Sequence, residues 1–153
     1  MTTTDITATT ARPAAAAARP TGNARDLAWA GMRIVVGFLF ACHGAQGLFG
    51  AFGGIDGAGG AVAVLSWPGW WGSAINLVGG LLVLVGLFTR AAAFVSSGAM
   101  AFAYFAVHQP MGALPLQNMG EPAALYAWVF LAIAAIGPGR YALDSLRGRA
   151  RRA

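Results

Sequence analysis

HGAQGLFG, residues His43 to Gly50, sets the terms on which the rest of the chain is read. It places a histidine, a glutamine and three glycines inside an apolar run that begins near Leu27. Polar groups in such a run are costly unless they find partners. Those partners must come from other segments, so the organisation of the chain comes first.

Four apolar runs carry it: Leu27 to Phe49, Trp70 to Phe88, Ala91 to Val107 and Pro122 to Ile136. Each approaches the roughly 20 residues that a helix needs to cross a bilayer. A chain of 153 residues that is 58% hydrophobic is too apolar for an ordinary soluble domain. The fold class expected is all-α, an integral membrane four-helix bundle spanning residues 25–146. Residues 1–24, rich in Thr, Ala and Pro, read as a disordered cytoplasmic tail, and residues 147–153 as a basic one. Arg33 is the one charge inside the runs, and near the start of the first its long stem is expected to snorkel to the interface.

Orientation follows from the arginines, since the chain has no lysine. Nine of the ten arginines precede the first run, join the second to the third, or follow the fourth, and Arg33 lies near the start of the first. The connections 50–69 and 108–121 have none, so the positive-inside bias puts both termini in the cytoplasm. Trp67, Trp70 and Trp71 then sit at the outer boundary, with Trp29 and Tyr141 at the inner one. Arginines gathered at segment ends suit the lipid bilayer as partner, and no nucleic acid is expected despite a net charge of +5. The single cysteine, Cys42, excludes a disulfide framework within the chain, a Cys-x-x-Cys motif and a cysteine-ligated iron–sulfur cluster. No metal-ligand set is apparent.

Spacing assigns helix faces. Gly72, Asn76, Gly79, Val83 and Gly86 leave one side of helix 2 nearly bare, and Gly37, Ala41 and Gly44 do the same on helix 1. Ser97, Ala101, Tyr104 and His108 form a stripe on helix 3. Helices 1 and 3 run outward, so His43, Gln46, Tyr104 and His108 fall in their outer halves. Helices 2 and 4 run inward, which brings Asn76 and Glu121 to the same depth, with Asn118 on the adjoining loop. These seven residues are the candidate polar pocket, beneath a flexible glycine-rich loop and above an almost featureless apolar inner half. The loop GGIDGAGG, Gly53 to Gly60, lacks the strand and helix that a nucleotide-binding glycine motif requires.

At these residues the chain resembles the DoxX family of small four-helix membrane proteins. The likeness runs from about Arg33 to Asp144, through HGAQ-x-LFG, GG-x-L-x-x-x-GL-x-TR at Gly79 to Arg90, N-x-GE-P at Asn118 to Pro122, and GPGRY-x-LD at Gly137 to Asp144. The resemblance implies a bacterial cytoplasmic (inner) membrane protein found with oxidoreductase systems, in some relatives a subunit associated with thiosulfate:quinone oxidoreduction. It implies no settled catalytic residue. The family pattern usually has a lysine where this chain has Gly47 and commonly a glutamate where it has Asn76. The two charges are expected to pair in relatives and to have been lost together here, since either one alone in a low-dielectric bundle costs several kcal/mol.

The leading functional expectation is an accessory or anchoring, non-catalytic subunit of a membrane-associated oxidoreductase, with a quinone or small-molecule pocket in the outer half. If catalytic, it would be a quinone-linked oxidoreductase, with the quinone against Tyr104, Trp128 and His108 and Glu121 exchanging protons. The plainer role for Glu121 is a helix-start carboxylate satisfied by backbone amides and His43 or His108. A haem between His43 and His108 is disfavoured because small-residue faces leave little room for a macrocycle. The alternatives are a small-solute transporter or permeation module, which would need to form a homo-oligomer or rearrange, and a purely structural membrane protein.

Overall fold

A computed structural model describes residues 22–150, with side chains through Arg147. Of residues 1–24, expected to be disordered, Gly22 to Ala24 form the start of the first helix, whereas 1–21 lie outside the described residues. Within them the chain is helical and forms no strand: α1 (Gly22–Phe49), α2 (Gly69–Val85), α3 (Thr89–Ala103), α4 (Glu121–Ile136) and α5 (Leu143–Ala150). From Ala103 the α3 axis continues through a π turn, Tyr104–His108, and a 3₁₀ turn, Gln109–Met111.

Two stretches, Gly22–Phe49 with 28 residues and Thr89–Met111 with 23, are long and apolar enough to cross a bilayer. The 17 residues of α2 and 16 of α4 are equally apolar but shorter. At about 1.5 Å rise per residue they reach roughly 24–26 Å, against a hydrocarbon layer of about 30 Å.

Glycine and proline set the helix ends. The N–H of Gly86, at φ 74°, and the N–H of Leu87 both return to Leu82 O at 2.9 Å, closing the last turn of α2. Pro122 sits in the first turn of α4, where its missing N–H leaves nothing unsatisfied, and Gly137–Pro138 ends that helix. Only Gly86 to Phe88 separate α2 from α3, so the two are antiparallel neighbours.

The distribution of side chains is the reverse of a water-soluble protein. Phe38, Val78, Phe94, Leu125 and Trp128 are exposed, Trp128 by 73%, whereas Arg33, Thr89, Ser96, Ser97 and Asn118 are buried. Apolar surface of that extent needs an apolar solvent or a partner. One buried cluster draws Phe40 from α1, Val83 from α2, Ala92 and Ala93 from α3, and Phe130 and Ile133 from α4. The Phe40 ring lies 4.5 Å from that of Phe130 and 5.2 Å from that of Tyr126.

The backbones of α1 and α2 touch. A Cβ on Gly37 would meet Gly80 O at 2.7 Å, and one on Gly80 would meet Ala41 N at 2.6 Å. The small face of α1 is therefore the expected one, but that of α2 is displaced by one residue. Gly80, Leu77 and Leu84 press on α1, Gly79 faces Ser96 of α3, and Gly72 faces open space.

The end of the molecule that carries Arg33 is far from featureless. Arg33 is 1% exposed, so its stem does not snorkel outward. Its Nη1 donates to Val83 O at 2.5 Å and Leu84 O at 2.7 Å, and its Nη2 donates to Tyr141 O at 2.8 Å. A helix leaves its last four carbonyls without intrahelical partners and a negative dipole end, and the guanidinium answers both on α2. Arg90 repeats the device on α4, donating to the carbonyls of Ala134, Ala135 and Ile136.

Asp144 serves the opposite pole. Its carboxylate accepts from the N–H groups of Phe88 and Thr89 and from Thr89 Oγ1, capping α3 from 55 residues away. Burial pushes its carboxyl up, but the three Thr89 and Phe88 hydrogen bonds and the charge of Arg147 outweigh that and hold it below the ordinary carboxylate range. The Trp29 indole N–H donates to Gly137 O at 3.1 Å. The TR and GPGRY-x-LD stretches are thus one tertiary clasp across three helix ends.

Candidate functional site

At the opposite end, His43 to Phe49 occupy the last two turns of α1 and Gly50 follows them at φ 67°. One helical turn separates His43 from Gly47, so the two share a face, and that face borders a cavity of about 240 Å³. Phe40 and Ile55 line it with them, Ser73 and Asn76 from α2, Met100 and Ala103 from α3, His108 from the π turn, and Pro122, Ala123 and Tyr126 from α4. Both histidines and Asn76 therefore border one space, as their positions along antiparallel helices suggested. Gly47 and Asn76 also meet there, and a Cβ at Gly47 would collide with the Ser73 hydroxyl, one turn from Asn76.

The π turn falls at the end of the stripe Ser97, Ala101, Tyr104 and His108, and Tyr104 and His108 still come together there, both lying against Gly120. Ser97 Oγ donates to Ala127 O at 2.8 Å, the Tyr104 ring packs beside Gly120, and His108 reaches the cavity. His108 Nδ1 lies 3.0 Å from Asn118 O. A carbonyl only accepts, so Nδ1 carries the proton, which leaves Nε2 as the ring nitrogen open to a ligand.

Asn76 supplies an acceptor. Its Oδ1 is buried and has no hydrogen-bond partner. A buried polar atom left unsatisfied costs about 1–3 kcal/mol, which marks this position as one where a ligand's donor would be welcome. Ser73 Oγ is already committed to Gly69 O at 2.9 Å. The Tyr126 ring stands edge-on to His43 at 6.0 Å.

The remaining candidates lie around the cavity. Gln46 Nε2 donates to Gly54 O at 3.0 Å, tying the glycine-rich loop to α1. The loop expected to be flexible is closed by hydrogen bonds, Ile55 N to Gly60 O and Gly59 N to Gly53 O, with Asp56 Oδ1 accepting from the N–H groups of Ala58 and Gly60. Those two bonds hold the Asp56 carboxyl below its ordinary range. Val62 N reaches back to Gly47 O, so Ile55 is laid over the cavity. Asn118 is buried and organises its own loop, donating to Gly112 O and accepting from Gly120 N.

Glu121 lies exposed in the first turn of α4, with no place in the cavity wall and no histidine partner. Trp128 is likewise turned outward, and Tyr126 takes the place expected of it. The spacing from Pro122 to Tyr126, one helical turn, could have identified Tyr126 from the sequence. Among the described residues no group of three or more His, Cys, Asp or Glu side chains is placed to hold a metal ion.

Comparison with known proteins adds to this geometry. The sequence model of the DoxX family matches residues 28–109. An uncharacterized protein of Haemophilus influenzae (strain ATCC 51907 / DSM 11121 / KW20 / Rd) is 40% identical over 119 residues, covering 74% of this chain and 86% of its own length. No solved structure matches.

Proposed function

The chain belongs to the DoxX family, a membrane family, and from that premise we propose that it is an accessory subunit of a membrane-bound oxidoreductase system that holds a quinone-sized ligand. The observation that carries this reading is the convergence of His43, Asn76 and His108 on one cavity between aromatic walls. The resemblance to relatives associated with quinone chemistry supports the ligand class. In this reading the four long helices form a transmembrane bundle in a bacterial cytoplasmic membrane, with both termini inside and the cavity in the outer half. The arginines at one end and their absence from the loops at the other support that orientation.

The chemistry open to these side chains is binding and positioning. Asn76 Oδ1 and His108 Nε2 are the atoms that could accept hydrogen bonds, and Phe40 and Tyr126 line the wall beside them. Electron transfer would belong to the quinone and to the partner subunit. A cavity of about 240 Å³ suits a single ring better than a macrocycle. A solute pathway has less support, because Arg33, Arg90 and Asp144 tie the helix ends together by hydrogen bonds at the other end.

The test is extraction of tagged protein from its native membrane in mild detergent, with mass spectrometry of co-purifying proteins and small molecules. Recovery of an oxidoreductase subunit or of quinone in stoichiometric amount is expected. Recovery of the chain with bulk lipid alone would overturn the reading.

A further inference from the structure

A second space of about 360 Å³ lies between α2 and α3, lined by Trp67, Pro68, Trp71 and Gly72 on one side and Val95, Ala99, Phe102 and Val107 on the other. Its walls are apolar, and Trp71, Val95, Phe102 and Val107 are themselves exposed on the molecular surface. Trp67 packs its ring on Phe102 at 5.6 Å and closes one end of the groove. Ser73, Asn76, Met100 and Ala103 line both this groove and the His43 cavity. The two spaces therefore meet at a polar point, Asn76, and at a flexible thioether, Met100, which can change rotamer at little cost.

We propose that the groove is the tail channel of a single-chain amphiphile whose ring hydroxyl is held by Asn76, so that ligand reaches the His43 cavity sideways from the bilayer. The proposal rests on the reading of that cavity as a ligand pocket and names what the pocket selects. Three observations carry it. The groove is open to the apolar surround along α2 and α3, as a lipid tail requires. It ends at a buried acceptor with no partner, as a hydroxyl requires. His108 borders the same cavity with its Nδ1 already donating to Asn118 O, so Nε2 is the ring nitrogen left to meet a head that donates. The aromatic side chains Phe40 and Tyr126 line the cavity, which suits a ring as that head. For a membrane quinone this selects the reduced, hydroxyl-bearing form over the oxidised form, whose ring oxygens only accept.

The experiment uses the full chain in lipid nanodiscs, with empty nanodiscs subtracted for partitioning. The probes are 4-decylphenol, 4-decylanisole, which keeps the ring and tail but has no donor, and 4-ethylphenol, which has no tail to lay in the groove. Gly72→Phe places bulk in the groove at a position where a Cβ meets nothing within 4 Å, so the fold is preserved. Ala99→Phe does the same from the opposite wall. The expected results are saturable binding of decylphenol, at least tenfold weaker binding of decylanisole, loss of that difference in Asn76→Leu, and a tenfold loss of decylphenol but not ethylphenol affinity in both groove variants. Equal binding of phenol and anisole would overturn the role of Asn76. Decylphenol binding unchanged in both groove variants would overturn the channel while leaving the pocket in place. Absence of saturable binding by either phenol would remove the pocket and the channel together.

Discussion

Replacing Arg33 by Met tests whether the clasp at the arginine-rich end holds the helices or merely decorates an interface. The guanidinium serves three carbonyls, and one of them, Val83 O, keeps a second partner in Gly86 N at 3.2 Å. The substitution therefore leaves Leu84 O and Tyr141 O bare, and two part-buried carbonyls without partners cost at most roughly 2–6 kcal/mol. The bonds themselves lead to a similar figure. Three hydrogen bonds to a charged group, each worth about 1.5–3 kcal/mol net, are offset by the cost of the buried Arg33 Nε, which has no partner. The expected loss is about 4 kcal/mol. Arg33→Lys should recover part of it, because an ammonium keeps the charge but lacks the planar fork that reaches α2 and Tyr141 together. Denaturant titration of the detergent-solubilised protein, followed by tryptophan fluorescence, reads the difference; Trp29 reports on the same end through its bond to Gly137 O. An Arg33→Met variant within about 0.5 kcal/mol of the parent would refute the reasoning. It would mean that water or lipid headgroups serve those carbonyls.

Three further outcomes are expected. Gly80→Leu should cost about 3 kcal/mol or prevent folding, since even its Cβ meets Ala41 N at 2.6 Å, whereas Gly98→Leu, where nothing lies within 4 Å, should be tolerated; the same titration compares them. Asp144 contributes stability through a depressed carboxyl, so its contribution is complete above the unfolded value near 3.8 and is lost as pH falls through the lower folded value. The stability gap between the parent and Asp144→Ala should shrink on acidification below about pH 4; a gap that stays constant down to pH 2 would contradict the cap. Gly47→Lys and Asn76→Glu should each destabilise by several kcal/mol, and the double variant should recover the electrostatic part of that loss, though not the contact of the new Cβ with Ser73, if the two positions form a pair across the cavity. Strictly additive losses in the double-mutant cycle would reject the pairing.

Much of this architecture was legible in the chain. Four apolar runs forecast four long helices within a few residues of their ends, because apolar composition and glycine or proline punctuation are local signals. The meeting of His43, Asn76 and His108 was legible too, since the direction of successive antiparallel helices sets the depth of each residue. The face of α2 was read one residue off. Gly79 and Gly80 are adjacent and equally bare, and only the angle at which α1 crosses decides which is used. The π turn was invisible, although Tyr104 and His108 still lie together against Gly120. Glu121 drew attention for its charge, yet a residue in the first turn of a helix can point along the surface as easily as inward, and it does.

What the sequence by itself determined is the solvent and the ends: the apolar surface, the arginines clustered at one set of helix ends, and the glycines and prolines that stop each helix. These depend on composition and on neighbours within a few residues. What only the tertiary structure decided is which polar groups find one another. Arg33 and Tyr141 are 108 residues apart, and Asp144 and Thr89 are 55 apart. A hydrogen bond at that separation is set by helix packing, so no local pattern could distinguish a guanidinium that snorkels from one that holds two segments together. The same holds for Asn76 Oδ1, whose lack of a partner is a property of the packed helices and of no stretch of the chain.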